Sequence, residues 1–382
     1  MRRVLLVTQF SLAIITFICA LTISRQVSYF FSKDLGYDKD QVMIVSSLPR
    51  QWDSTGVMRM ENMKAELLRT PGIKAATFSY DIPDGSYLGN ANIYTEGSDN
   101  NFISMLVMSG CYDFADVYGL EMAEGVFLKH ENSSNVRGQV VLNESAVKAL
   151  GWTSATGKTI RLGVDADSYF VTVSGVVKDF HYASMQASVQ PLVFTHVNEP
   201  YVRVYRYYSL KINTPDMART IDDVKKKWEA LFPETGFEYT FMDDRFQSLY
   251  TTELQLKKAG SLATALMFII VLLGIFGIVT FTLSSRTKEI AIRKVLGAKA
   301  ANIVMLFIKE YALQIALANI IAWPLAFAIT SYWLQGYAYR VEQNIFPFVL
   351  AAGFMLTAAF ILISIQCFKA AVANPVNSLR SE

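Results

Sequence analysis

The sequence predicts an α-helical membrane protein with four transmembrane helices and one mixed α/β extracytoplasmic domain, and three observations carry that prediction. Hydrophobic residues make up 52% of the 382-residue chain and charged residues only 18%, at a mean hydropathy of +0.28, too apolar for an ordinary soluble protein of this length. Four stretches, residues 4–24, 259–285, 311–339 and 343–368, contain no charged residue. Each is long enough to span, because about 20 residues cross a hydrocarbon core of ~30 Å. Between the first and second stretches, strand-like and helix-like patterns alternate over about 230 residues, enough for an ordinary core.

The first span follows Met1-Arg2-Arg3, an opening that a cleaved signal peptide shares. Its apolar run is longer than a usual signal core and no small-x-small cleavage site precedes Arg25, so a retained helix is expected over 1–25. Pro324 lies in the third span, where neighbouring helices can satisfy the carbonyl it frees, and predicts a kink. Orientation follows from the basic residues. Segments 1–3, 284–310 and 369–382 hold ten Lys/Arg against three Glu, whereas 25–258 holds 24 basic and 29 acidic residues. Both termini are therefore expected in the cytoplasm and the large domain outside. The net charge of +2 conceals this asymmetry and gives no reason to invoke nucleic acid.

Within the domain, expected over 26–242, residues 41–47 read as a strand. A helix follows over 58–69, with Met60, Met63, Leu67 and Leu68 at helical spacing; Thr70-Pro71-Gly72 stops it, and 73–80 is again strand-like. The same order returns as a strand over 205–212, an amphipathic helix over 216–232 (Ile221, Val224, Trp228, Leu231) and a strand over 237–242. Two such units sharing one sheet make a split βαβ layer, with roughly 100–200 as a β-rich inserted lobe broken by glycines. Cys111 is the only cysteine of the domain, since Cys19 and Cys367 fall in or beside membrane spans, so no disulfide forms within it. Residues 243–258 have helical character without Gly or Pro, and read equally as a stiff stalk helix running into the bilayer or as a juxtamembrane linker. Gly260 is a point at which such a stalk would weaken.

Most candidate chemistry fails. Gly151 and Gly157-Lys158-Thr159 imitate a phosphate loop, but five residues separate the glycines where four are needed, and a helix end and turn is the expectation. Asp179 stands near His181, yet His130 and His196 have no further ligand at metal spacing. Neither a Gly-x-Ser-x-Gly elbow nor a His-Glu-x-x-His helix occurs, so no catalytic site, cofactor or metal is predicted. No ionisable group sits centrally in any span, unlike ion-coupled carriers. Gln9, Gln314 and Asn319 are the amides there, each expected to bond from helix to helix.

One segment stands apart. Residues 284–302, SSRTKEIAIRKVLGAKAAN, place Ile290, Ile292, Val295 and Leu296 on an apolar side and Arg286, Lys288, Arg293 and Lys294 on a basic one. Glu289 can pair with Arg293 at i, i+4, and Gly297 can terminate the turn. This predicts a short amphipathic helix at the cytoplasmic interface; a loop that merely binds anionic lipid is the simpler alternative.

The run LSSRTKEIAIRKVLGAKAANIVMLFIKE closely resembles the cytoplasmic loop of MacB/FtsX-type ABC transporter permeases, with its R-x-x-E-I-A-I-R-K-x-x-G-A pattern. VSGVVKDFHYASMQASVQPLVF in the domain and ANPVNSLRSE at the tail extend the resemblance over the chain. It implies a bacterial inner-membrane permease in which Arg286, Lys288, Glu289, Ile290, Arg293, Lys294, Gly297 and Ala298 form or shape a coupling helix gripped by a separate cytoplasmic ATPase. The split βαβ layer would be a porter-like lobe of a MacB-like periplasmic core domain, and 259–382 an FtsX-like permease domain. RRVLLVTQFSLAIITF resembles the start of the second four-helix unit in two-repeat members, so either a homodimer or a separate first half is implied as partner. A periplasmic adaptor, an outer-membrane channel and the bilayer complete the implied partners. The function implied is export or extraction of an extracytoplasmic substrate by mechanotransmission. A membrane-anchored sensor or scaffold is the alternative, and a membrane-bound hydrolase would need a nucleophile and base that the sequence does not display.

Overall fold

The computed structural model describes residues 2–86, 88–95, 102–129, 138–163, 168–198, 204–286, 292 and 300–372. The chain divides into two compact units, residues 33–251 and residues 1–32 with 252–382.

Helix α1 (Arg2–Ser32) opens the chain. The larger unit then runs β1 (Val42–Val45), α2 (Ser54–Leu68), β2 (Ile73–Ser79), β3 (Gly89–Thr95), β4 (Phe102–Gly110), α3 (Phe114–Tyr118) and β5 (Met122–Gly125). It continues with β6 (Gln139–Asn143), α4 (Glu144–Ala149), β7 (Thr159–Gly163), β8 (Tyr169–Val177) and β9 (Leu192–His196). It closes with β10 (Tyr207–Ile212), α5 (Met217–Leu231), β11 (Tyr239–Phe241) and α6 (Met242–Ser248).

The two strand-helix-strand repeats interleave as the sequence predicts. Strand β10 lies antiparallel between β1 and β2, and β1 lies antiparallel between β10 and β11, giving the order β11-β1-β10-β2 of a doubled split βαβ unit. Local chemistry sets the helices: Asp53 accepts from the Gly56 amide at 2.7 Å and Asp216 from the Arg219 amide at 3.1 Å, each satisfying an orphan donor of a first turn. Met60, Met63 and Leu67 of α2 and Val224 and Trp228 of α5 are buried with Phe78, Tyr205 and Tyr208, and the Trp228 ring meets Tyr208 edge-on at 5.8 Å. Leu68 and Leu231, assigned to the same apolar faces by spacing, are exposed; each is the last residue of its helix.

Residues between β2 and β10 form the inserted lobe, wider than 100–200 because β3 precedes residue 100. Its strands pair β4-β3-β7-β8-β6-β9, and β9 returns to pair parallel with β4, so six strands close into a barrel that leaves no free edge among them. Val140, Leu142, Ile160, Val171, Val173 and Val193 belong to its separate aliphatic core.

Among its described residues, the smaller unit holds four helices long and apolar enough to cross a membrane. With α1 they are α7 (Thr251–Ser285), α8 (Ala300–Leu334, containing Pro324) and α9 (Phe346–Val372). Helix α8 packs against both α1 and α9. The segment 243–258, read equally as a stalk helix or a juxtamembrane linker, is divided: α6 ends at Ser248, Leu249 and Tyr250 turn, and α7 begins at Thr251.

Candidate functional site

Of the eight residues expected to form or shape a coupling helix, Arg286 alone is among the described residues. The Arg286 amide donates to the Thr282 carbonyl at 3.0 Å, continuing the turn of α7. Lys288, Glu289, Ile290, Arg293, Lys294, Gly297 and Ala298 lie outside the described residues. Arg286 lines a cavity of about 250 Å³ together with Leu6 of α1, Thr282 and Ser285 of α7, and Glu310, Tyr311 and Gln314 of α8. Residues of α1, α7 and α8 therefore surround Arg286.

The amides of the bundle depart from the expected helix-to-helix bonding. Asn319 bonds within its own helix, donating to the Ile315 carbonyl at 2.8 Å and accepting from Trp323 Nε1 at 2.7 Å. The Oε1 atoms of Gln9 and Gln314 are buried and accept no hydrogen bond among the described residues. Gln9 lies where Gly274 leaves room, since a Cβ on Gly274 would stand 2.6 Å from its Oε1. At the other end of the bundle Gln26 does the joining that spacing could not reveal. It donates to the Tyr339 carbonyl at 2.9 Å and accepts from the Val341 amide at 2.8 Å, pinning the chain between α8 and α9. The buried Glu253, near the start of α7, accepts from the Tyr337 hydroxyl at 3.2 Å. A glutamine at the end of an apolar run and a glutamate at the start of another were the only signals available.

In the larger unit, the residues just before α7 are fastened rather than free. Met242, Phe246 and Tyr250 are buried, and the Tyr250 hydroxyl accepts from the Met185 amide at 3.1 Å. Arg245 bonds the nearly buried Asp84 carboxylate at 2.8 Å, a pair whose separation would strand a desolvated charge. Lys39 pairs with Asp243. Beside them, Asp81 accepts from the Ser109 amide at 3.1 Å, and burial pushes its carboxyl up to about 7 against the pull of that bond and of Arg206.

The imitation motifs resolve as structure. Gly151 adopts φ +68° directly after α4, Gly157 φ +79° in the following turn, and Lys158 lies over the Trp152 ring at 4.3 Å. Asp179 accepts from Asn143 Nδ2 at 2.8 Å and from the Ser145 amide and hydroxyl at 3.0 and 2.6 Å, which ties it to the start of α4. Gly36, at φ +73°, allows the 34–38 loop to approach, since a Cβ there would stand 2.8 Å from the Asp179 carbonyl. Burial lowers the His181 imidazole, and the His196 ring stacks on Tyr112 at 4.1 Å. No cluster of three metal-ligating side chains occurs among the described residues.

Two family descriptions match: the MacB-like periplasmic core domain over residues 10–230 and the FtsX-like permease C-terminal domain over 261–375. Similar sequences include the macrolide export ATP-binding/permease protein MacB of Wolinella succinogenes, 22% identical over 77% of this chain and 46% of the relative. The protein of the same name from Marinobacter nauticus is 24% identical over 68% of this chain and 41% of its own length. The chain thus spans about half the length of these relatives or less. Among solved structures, the periplasmic region of MacB from Actinobacillus actinomycetemcomitans is similar at 16% identity and a TM-score of 0.40, over 58% of this chain and 98% of that one. The extracellular domain of the Gram-positive transporter YknZ is similar at 14% identity and 0.35, over 52% and 98%. With a periplasmic core domain and a permease domain matched in series around four membrane-length helices, the chain belongs to the MacB/FtsX-type permeases of ABC transporters.

Proposed function

We propose that this chain is a non-catalytic permease subunit through which a separate ATPase on the cytoplasmic side moves the domain of residues 33–251. The observation that carries the proposal is the pairing of a MacB-like core domain and an FtsX-like permease domain in one chain. Residues 284–302 are the segment gripped by the ATPase, and the excess of basic residues in 284–310 supports its cytoplasmic placement. Helix α7 rises from that segment without interruption for 35 residues, on the order of 50 Å. The turn at Leu249–Tyr250 then joins it in sequence to α6, which Arg245, Phe246 and Tyr250 hold to the domain. Displacement at one end of α7 is thereby delivered to a fastened element at the other. The substrate acts outside the membrane, as an exported or extracted molecule, and the names of the relatives favour export. A second permease unit, a periplasmic adaptor and an outer-membrane channel are the further partners of this reading.

Glu289→Lys reverses the charge at the position expected from spacing to pair with Arg293, and Gly297→Pro alters the residue expected to end the turn. Each is expected to lower recovery of a nucleotide-binding partner with the tagged full chain in mild detergent by roughly tenfold or more, ~1.4 kcal/mol, with membrane insertion unchanged. Equal recovery with both variants contradicts the coupling role. Absence of any nucleotide-binding partner from the wild-type chain favours the sensor or scaffold.

A further inference from the structure

The loop between α8 and α9 is held in place from several sides. The wholly buried Gln26 bonds the Tyr339 carbonyl and the Val341 amide, and Arg25 donates to Asn344 Oδ1 at 2.9 Å. Gln343 accepts from the Ser331 hydroxyl and donates to Thr330 Oγ1, each at 2.8 Å, which ties the loop to α8. Beside this frame lies a cavity of about 570 Å³, lined by Ser331, Leu334 and Gln335 at the end of α8 and by Arg340, Glu342 and Gln343 of the loop. Its size falls within the ~300–1,000 Å³ of small-ligand pockets. Arg340 and Glu342 are exposed there with opposite charges, yet neither forms an ion pair or a side-chain hydrogen bond among the described residues. Two residues apart, their Cα atoms are separated by no more than about 7 Å. A fixed loop thus presents a cation and an anion side by side, which matches a ligand carrying one charge of each sign at a similar separation.

The cavity lies where two membrane-length helices end, and its lining goes no further into α8 than Ser331, in the last turn. Tyr332 of the same turn is 81% exposed, a residue type that membrane–water interfaces favour. Below Ser331 the same face of α8 is apolar, because steps of four, three and four residues lead to Phe327, Pro324 and Ile320, all exposed. From Ile320 to Ser331 the helix rises on the order of 16 Å. That is about half of a ~30 Å hydrocarbon core, the depth of one leaflet. A charged, polar cavity therefore continues into an exposed apolar stripe as long as an acyl chain's share of the bilayer.

We propose that the cavity at the α8–α9 loop binds the headgroup of a zwitterionic, primary-amine phospholipid of the phosphatidylethanolamine type. The phosphate accepts from the Arg340 guanidinium, the ammonium donates to the Glu342 carboxylate, and one acyl chain follows Phe327, Pro324 and Ile320. A choline headgroup carries the same charges but has no N–H to donate. A glycerol headgroup brings no cation to Glu342. The site is independent of whether an ATPase grips residues 284–302.

The test uses the full chain, delipidated in detergent and offered phosphatidylethanolamine, its mono- and dimethylated derivatives, phosphatidylcholine and phosphatidylglycerol with identical acyl chains, with the first adduct measured by native mass spectrometry. Its retention is expected to fall by about tenfold from ethanolamine to choline, with the methylated derivatives between them, and to be lower for phosphatidylglycerol than for phosphatidylethanolamine. Glu342→Gln is expected to bring ethanolamine retention to the choline level, and Arg340→Gln to lower both. Both side chains are exposed and the methylation series needs no variant, so misfolding cannot mask the result. Glycerophosphoethanolamine, the same headgroup without acyl chains, is expected not to displace the lipid at about tenfold molar excess. Equal retention across the series, preference for phosphatidylglycerol, unchanged selectivity in the Glu342→Gln chain, displacement by glycerophosphoethanolamine, or no phospholipid adduct at all would each overturn the proposal, the fourth by assigning the cavity to a soluble zwitterion.

Discussion

The two units differ in how many large apolar side chains they leave exposed and in the small residues they bury. In the domain, Trp228, Tyr118, Tyr205, Tyr208, Phe78 and Phe232 are wholly enclosed. In the helix bundle, Leu273, Ile320, Phe327 and Phe360 face outward, whereas Ala318, Ala322, Ala326, Ala351 and Ala359 are buried. The alanines of α8 recur every four residues, so they form one stripe on one side of the helix. Water drives large apolar surface inward in the first case. Lipid offers an apolar side chain as good a neighbour as protein does, so the second unit gains by close approach of helices, for which small residues are suited. The domain therefore encloses its large apolar side chains, whereas the bundle encloses some, such as Phe10, Ile14, Ile275 and Phe307, beside the alanine stripe and leaves others of the same kind on its outer face.

The strongest way to break this contrast is in the domain. Trp228→Ala empties the space between α5 and the sheet and removes a hydrogen bond from Nε1 to the Thr235 hydroxyl. It is expected to destabilise the domain by about 3–5 kcal/mol, read as a lowered midpoint in the thermal unfolding of the full chain. A smaller effect sharpens the contrast in the bundle. Ala322→Leu adds apolar volume to a buried stripe and is expected to cost about 1–3 kcal/mol through overpacking. Ile320→Ala, two residues away and 70% exposed, is expected to change stability by no more than about 0.5 kcal/mol. Thermal retention of monodisperse protein in detergent measures both. Equal losses from the two substitutions would mean that the alanine stripe of α8 is not a close-packed face.

The same physics explains what the sequence could convey. Strands β1, β2, β10 and β11 and helices α2 and α5 were legible because each carries its pattern locally, through period and stop, as in Met60, Met63 and Leu67 along α2 and Pro71-Gly72 after it, although the start of α2 at Ser54, capped by Asp53, lies before the expected 58. The four spans were legible by composition, but their ends were not. Absence of charge placed the third span at 311–339, whereas α8 runs Ala300–Leu334 and includes Lys309 and Glu310. Charged residues fit within the first turns of such a helix where they reach the interface, and the uncharged Gly336 and Tyr337 lie beyond its end. Closure of the inserted barrel was invisible, because the β4–β9 pairing joins residues more than eighty positions apart. So were the Gln26 and Glu253 partnerships, for the same reason. The division at Leu249–Tyr250 contains neither Gly nor Pro; burial of Tyr250 and its bond to Met185 accompany it, and those are tertiary. At the candidate site, residue order gave only the expectation of a coupling segment over 284–302, while the cavity at Arg286 depends on three helices meeting.

The functional account requires residues 284–302 and the large domain to occupy opposite faces of the bilayer. In a chain whose Cys19, Cys111 and Cys367 are replaced by Ala, single Phe170→Cys and Lys294→Cys variants can be treated in intact cells with a membrane-impermeant maleimide; Phe170 is 71% exposed on the domain. Labelling of the Phe170→Cys chain without permeabilisation, and of the Lys294→Cys chain only after it, is the predicted result. Reaction of both in intact cells would contradict the account, because no cytoplasmic ATPase could then reach the segment.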